Sequence, residues 1–140
     1  MTKTALFFLF LLPLNALAQK TEAEVLQLLN HGSEKTWLYE GTEIIMKGSD
    51  QCDNGKYYSF RSDKKVVIGD CIHNGWKLVE ESYSLRKETS VDWYLTIGKQ
   101  EFYLVMTEIP AYDEIKLRKF DGRDKADPAL DIKLKFLKDD

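Results

Sequence analysis

The chain has 140 residues, a formal net charge of −3 at pH 7 and 44% hydrophobic residues. This length predicts one domain, large enough to bury a core without the help of a metal. Acidic and basic residues are interspersed throughout, and no Lys/Arg block or basic stripe occurs. That charge pattern argues against nucleic acid and anionic membranes as partners.

The first eighteen residues have the pattern of a bacterial export signal. Lys3 supplies a positive charge, residues 5–14 form an apolar stretch, and Ala-Leu-Ala at 16–18 is a small-x-small cleavage site. The apolar stretch is shorter than the roughly twenty residues that span a bilayer, so we expect no membrane span. We predict cleavage after Ala18, export to the periplasm or the medium, and a single domain over residues 19–140.

The next segment predicts a short amphipathic helix. Thr21, with Glu24 three residues later, has the form of a capping box, and Gly32 can take the left-handed position after the last turn. Val25 and Leu29 share one face by the helical period. We expect this helix to cover one end of a sheet or barrel.

The rest of the chain alternates apolar with polar residues in short stretches separated by turn signals. Asn74-Gly75 predicts a hairpin turn because both residues tolerate positive φ, and Gly41 makes a kink in the first strand easy. The predicted strands cover residues 35–47, 56–60, 64–72, 76–85, 91–97, 100–106, 114–120 and 130–136. Eight short strands without an intervening helix are typical of an antiparallel meander that closes into a barrel or a tight sandwich.

The hairpin around Gly98-Lys99 is the best specified element. A Gly-first two-residue turn of type II′ puts Leu95 opposite Phe102 and Trp93 opposite Leu104, and by the same register Val91 faces Met106. Slipping the register by one residue would turn Phe102 and Leu104 away from their partners. The turn chemistry and the hydrophobic pattern therefore predict the same pairing.

The strand before this hairpin changes its apolar phase. Trp76 and Leu78 lie on one face by the two-residue period, whereas Val79 and Tyr83 lie on the other. This change predicts a bulge or bend near Glu80-Glu81.

Two cysteines, Cys52 and Cys71, favour a disulfide in an exported chain. The bridge would close a loop of about nineteen residues, which the chain-entropy model values at roughly 3 kcal/mol. The alternative is a metal site that adds His73, two residues after Cys71, but the usual zinc-ligand spacings are absent.

Catalytic motifs are not found. Neither His31 nor His73 accompanies a nucleophile motif, and the paired acids Glu80 and Glu81 point to opposite faces of a strand unless a bulge intervenes. We therefore expect no enzyme activity and no cofactor.

Large apolar side chains are concentrated on the predicted inner faces of the strands. A barrel of about eight strands is either filled by side chains or holds one small ligand. A filled core and a ligand pocket both remain open as interpretations. The candidate lining residues are Trp37, Phe60, Tyr83, Trp93, Leu95, Phe102 and Leu104.

Several of these residues carry a resemblance to a known family. The motifs are Trp37 at the first strand, Cys52-Asp53, Tyr58-Ser59-Phe60 with Asp63 in the turn, Cys71, Trp76 and Trp93-x-Leu95-x-Ile97. Together, over about residues 35–120, they resemble the lipocalin-like domain family of small exported bacterial proteins. The resemblance implies an all-β, antiparallel eight-stranded up-and-down barrel that binds a small hydrophobic molecule, without established catalytic residues. The Gly-x-Trp opening of true lipocalins is absent, since Lys35 and Thr36 precede Trp37.

Two functions follow as hypotheses. The first is a monomeric binding domain that holds a small hydrophobic or amphipathic molecule in its barrel. The second is an envelope interaction or inhibitor protein with a filled core, acting through exposed loops at 50–56 or 121–127. The sequence does not identify its protein partner. A cavity of roughly 300 Å³ or more would distinguish the first from the second.

Overall fold

The computed structural model describes residues 17, 19–40, 42, 51–88, 92–120 and 131–137. Within these residues the chain forms a closed antiparallel barrel in which each strand pairs with its neighbours in sequence and β1 pairs with β8. The elements are α1 (Glu22–Asn30), β1 (Glu34–Tyr39), β2 (Lys56–Arg61), β3 (Lys65–Ile72), β4 (Gly75–Glu88), β5 (Asp92–Ile97), β6 (Gln100–Glu108), β7 (Tyr112–Phe120) and β8 (Ile132–Leu137). The predicted all-β, eight-stranded up-and-down barrel with one short helix is confirmed. No helix in the described ranges has the length and apolar character needed to cross a membrane.

The helix begins and ends as its sequence indicates. The Thr21 side chain accepts a hydrogen bond from the Glu24 amide (3.2 Å), and the Glu24 carboxylate accepts one from the Thr21 amide (3.1 Å). This reciprocal pair satisfies two amides that the first turn leaves open. At the other end both His31 (φ 55°) and Gly32 (φ 79°) take the left-handed conformation.

The β5–β6 hairpin has the predicted register. Leu95 lies opposite Phe102 and Trp93 opposite Leu104, and Gly98 takes a φ of 61°, as the first position of a type II′ turn requires. The predicted partner of Met106, Val91, lies outside the described residues, as does most of the predicted first strand beyond Tyr39.

Two expectations for the β3–β4 hairpin are wrong in detail. The turn is His73-Asn74 rather than Asn74-Gly75: both residues have positive φ (53° and 63°), and Gly75 already pairs with Ile72. Because Asn tolerates the left-handed region, the turn moves one residue toward the N-terminus without exchanging the faces of the strands.

The predicted bulge in β4 is also absent from the described ladder. Its register with β3 is constant from Ser82, opposite Lys65, to Gly75. The apparent change of phase arises because two apolar residues face outward. Trp76 packs edge-on against Tyr57 at 5.0 Å, and Leu78 is 58% exposed.

The predicted disulfide between Cys52 and Cys71 is confirmed, with the two Cα atoms 6.0 Å apart. It ties the segment before β2 to the end of β3, where the Cys52 amide also donates to Asn74 O (3.2 Å) and the Cys71 amide to Gly55 O (3.0 Å). Since both sulfurs are in the bridge, neither is available as a thiolate ligand. No group of three His, Cys, Asp or Glu residues able to hold a metal occurs among the described residues.

The helix covers one end of the barrel, as predicted. We call this the closed end; it contains α1 and the β2–β3 turn at 62–64, and the Ser62 amide donates to Ser33 O (2.7 Å). Trp37 Nε1 donates to Leu29 O (3.0 Å), so the indole of β1 meets the last turn of α1. Tyr83 Oη accepts from Asn30 Nδ2 (3.1 Å) and donates to Arg61 O (2.6 Å).

A buried lysine adds a further attachment between helix and barrel. The side chain of Lys35 is fully buried, and its Nζ donates to Leu28 O (3.0 Å) and to Asp113 Oδ2 (3.4 Å). The ammonium group also lies 4.3 Å from the ring centroid of Trp37. A buried charge needs partners of this kind, and here they join α1, β1 and β7.

Candidate ligand pocket

A pocket lies at the other end of the barrel. Because the strands alternate in direction and β1 follows α1, the connections after β1, β3, β5 and β7 lie away from α1; we call this the open end. The pocket has a volume of about 360 Å³. Its lining residues are Tyr58, Ile68, Glu81, Ile97, Gly98, Lys99, Gln100 and Phe102.

The walls of the pocket are aromatic and aliphatic. Tyr58 and Phe102 are 5% and 9% exposed, and Ile68 and Ile97 come from β3 and β5. Burial raises the pKa of Tyr58, with smaller contributions from the neighbouring Tyr39 and Asp70. The phenol therefore stays neutral at physiological pH and can donate one hydrogen bond.

The rim of the pocket is polar and carries both signs of charge. Glu81 lies close to the β5–β6 turn, since a Cβ added to Gly98 would come within 2.8 Å of Glu81 Oε2. Gly98 is favoured by its positive φ, whereas the Glu81 carboxylate, at the end of a flexible side chain, could move away from an added Cβ. Lys99 completes the turn, and the Gln100 side-chain amide donates to Glu101 O (2.9 Å).

A difference in strand length explains why the pocket forms here. The β5–β6 turn ends at the level of Ser82, where the Gly98 amide donates to Ser82 O (2.9 Å). β4 pairs with β5 only from Tyr83 onward, whereas its pairing with β3 covers Gly75 to Ser82. The β3–β4 hairpin therefore extends beyond the β5–β6 hairpin, and the inner side chains next to this step border the pocket.

The structure divides the seven predicted lining residues between the two ends. All seven are buried and belong to one core cluster. Phe102 lines the pocket, whereas Trp37, Phe60, Tyr83, Trp93, Leu95 and Leu104 fill the barrel and are 3% exposed or less. The interior is thus side-chain-filled toward the closed end and open at the pocket.

Most of the pocket lining was not predicted from the sequence. Tyr58 and Ile97 follow the period of Phe60 and Leu95, so strand alternation places them on the inner face. Glu81 shares the face of Tyr83 once β4 is read without a bulge. Because a bulge was expected at Glu80-Glu81, the face of Glu81 was not predicted. No signal in the sequence indicates that a void lies beside this residue.

The two histidines lie elsewhere. The His31 ring stands edge-on to Phe136 at 5.2 Å near the end of α1, where burial, together with the charge of Lys35, lowers its pKa. His73 lies in the β3–β4 turn. Neither belongs to the pocket lining. The groups that converge at the pocket are apolar walls, a neutral phenol, an amide and charged rim side chains. Chemically, this lining is compatible with a molecule that has an apolar body and a polar end.

Comparisons with protein-family models, with curated proteins and with solved structures find no match to this chain. The resemblance to the lipocalin-like domain family stays a prediction from the sequence motifs. The barrel itself rests on the strand topology.

Proposed function

We propose that this chain is an exported domain that binds one small amphipathic molecule in the open-end pocket. The observation that carries the proposal is a pocket of about 360 Å³ with Tyr58 and Phe102 as aromatic walls and charged groups only at its rim. This volume lies within the roughly 300–1,000 Å³ of typical ligand sites. Export is supported by the signal-like leader and by a disulfide of the kind found in oxidising compartments.

The pocket limits the size of the ligand. At about 30 Å³ for each water, its volume of about 360 Å³ corresponds to roughly a dozen waters, and hence to a ligand of about that many non-hydrogen atoms. At about 0.5 kcal/mol for each atom, between the values for tiny and drug-sized ligands, binding reaches roughly 6 kcal/mol. We therefore expect a dissociation constant of tens of micromolar.

A pair of substitutions on β3 tests the proposal. Ile68 faces the pocket, and its neighbour Val67 points to the outer surface by strand alternation. Ile68→Phe should fill the pocket and weaken the binding of decanoate, which has about a dozen non-hydrogen atoms, at least ten-fold. Val67→Phe is the matched control, because it adds the same ring on the outer face and should leave the affinity within two-fold of the wild type.

Binding of decanoate would be followed by titration calorimetry. Equal affinities in the two variants would contradict the proposed site. A lack of saturable binding to the wild type below about a millimolar would contradict the function. The second result would favour the interaction-protein alternative, for which the β3–β4 hairpin offers the exposed apolar residues Ile72, Leu78 and Val79.

A further inference from the structure

The closed end of the barrel contains a residue from the predicted leader. Leu17 is fully buried in the core cluster, together with the helix residues Val25 and Leu29. Its carbonyl oxygen accepts hydrogen bonds from Trp93 Nε1 (3.1 Å) and from the Lys20 amide (3.1 Å). The leader thus supplies both an apolar side chain and a hydrogen-bond acceptor to the barrel interior.

Cleavage after Ala18 would remove both groups. Trp93 is 3% exposed, so its indole N–H would lose a buried acceptor, and the space of the Leu17 side chain would be vacated. A buried donor without an acceptor and an unfilled apolar space are both unfavourable. Cleavage would therefore leave an empty apolar space and an indole N–H without its acceptor, and both would be available to a small molecule.

We propose that the space occupied by Leu17 is a second binding site in the processed protein, selective for short branched aliphatic acyl compounds. Leu17 itself shows what fits: a four-carbon branched side chain with a carbonyl oxygen on Trp93 Nε1. Lys87 stands beside the site, with Nζ 5.3 Å from the Trp93 ring centroid and 3.5 Å from the Lys20 carbonyl oxygen. Its positive charge favours a carboxylate over a neutral acyl group at this position.

This site is distinct from the open-end pocket. Trp93 does not line that pocket, and Leu17 packs at the end that carries α1. The inference depends on the predicted cleavage, not on the function proposed for the pocket. A substitution in one site should therefore leave binding at the other unchanged.

The test begins with the protein as exported, whose intact mass shows whether it starts at Gln19. 4-Methylpentanoate is then titrated while tryptophan fluorescence and the methyl resonances of the probe are followed. Trp93→Phe should weaken binding at least ten-fold, because it keeps a ring and removes the N–H donor. Trp37→Phe is the matched control: its N–H donates to Leu29 O, which processing leaves in place, so binding should be unchanged. Circular dichroism establishes that both variants are folded.

A second form of the protein keeps Leu17 in the space where it packs in the structure. An unrelated export signal placed so that the mature chain starts at Ala16 retains Leu17, and this form should bind 4-methylpentanoate at least ten-fold more weakly than the form that starts at Gln19. Equal affinity in the two forms, or full affinity in Trp93→Phe, would overturn the inference. The inference would also be overturned if the mass of the native exported protein still included Leu17. It would be overturned as well if the processed protein bound no 4-methylpentanoate because its new N-terminus filled the space. Ile68→Phe should leave this binding intact, which separates a failure here from a failure of the open-end pocket.

Discussion

The disulfide between Cys52 and Cys71 allows a stability prediction whose size follows from the structure. The two residues are 19 apart in sequence, and the chain-entropy model gives about 3 kcal/mol for closing a loop of that length in the unfolded chain. Replacing both cysteines by serine should therefore lower the free energy of unfolding by about 3 kcal/mol. For a domain of this size the midpoint of thermal unfolding should fall by roughly 10 °C.

Urea unfolding of the exported protein, with and without reductant, measures this difference. Reduction of the wild type should lower its free energy of unfolding to that of the double-serine variant, and the variant itself should not respond to reductant. A loss below about 1 kcal/mol in the variant would refute the entropic argument. A large effect of reductant on the variant would show that the loss in the wild type is not due to the bridge.

Two further predictions concern neighbouring residues on β5 and a cross-strand ion pair. Trp93→Ala should lower the free energy of unfolding by about 3–5 kcal/mol, and Tyr94→Ala by less than half as much, because Trp93 is buried whereas Tyr94 packs against the outer-face side chains of Tyr103 and Arg86. A larger loss for Tyr94→Ala in urea melts would reverse our assignment of the faces. Arg86 holds the Glu101 carboxylate through two hydrogen bonds (2.7 and 2.9 Å), which lowers the pKa of Glu101. Since the folded pKa lies below the unfolded one, the pair stabilises the fold above the unfolded pKa, and this contribution is lost as the pH falls through the folded pKa. The difference in unfolding free energy between wild type and Arg86→Gln, about 0.2–1 kcal/mol near neutral pH, should therefore shrink in acid, while the contact of Arg86 with the Tyr94 ring is independent of the charge of Glu101. A difference that stays the same from neutral pH into strong acid would contradict this.

The sequence predicts the barrel well because local signals agree with one another. In the β5–β6 hairpin, the Gly98-Lys99 turn and the alternation of Trp93 and Leu95 require the same register, so the pairing can be derived without the rest of the fold. The capping box of α1 is equally local. The local signal was ambiguous at Trp76 and Leu78, because alternation alone does not separate an exposed apolar face from a change of phase.

The pocket was predicted far less well. Alternation tells which face of a strand a residue occupies, but not at which depth of the barrel it lies. Trp93 and Phe102 share an inner surface, yet Trp93 is placed in the filled part and Phe102 beside the void. That difference depends on how neighbouring hairpins are staggered, which is a property of the closed sheet rather than of any one strand.

The stagger also indicates how a ligand would be oriented in the open-end pocket. Because the β5–β6 hairpin ends at Ser82, Glu81 stands on the inner face of β4 at the edge of the step, next to the backbone of Gly98. The aromatic walls, Tyr58 and Phe102, lie on strands that continue toward the filled core. A bound molecule gains most if its apolar body lies against these two rings and its polar end stays at the step, where the charged rim remains hydrated. If the proposed function holds, the open end of this barrel should therefore favour ligands with one polar terminus over ligands that are apolar throughout or polar at both ends.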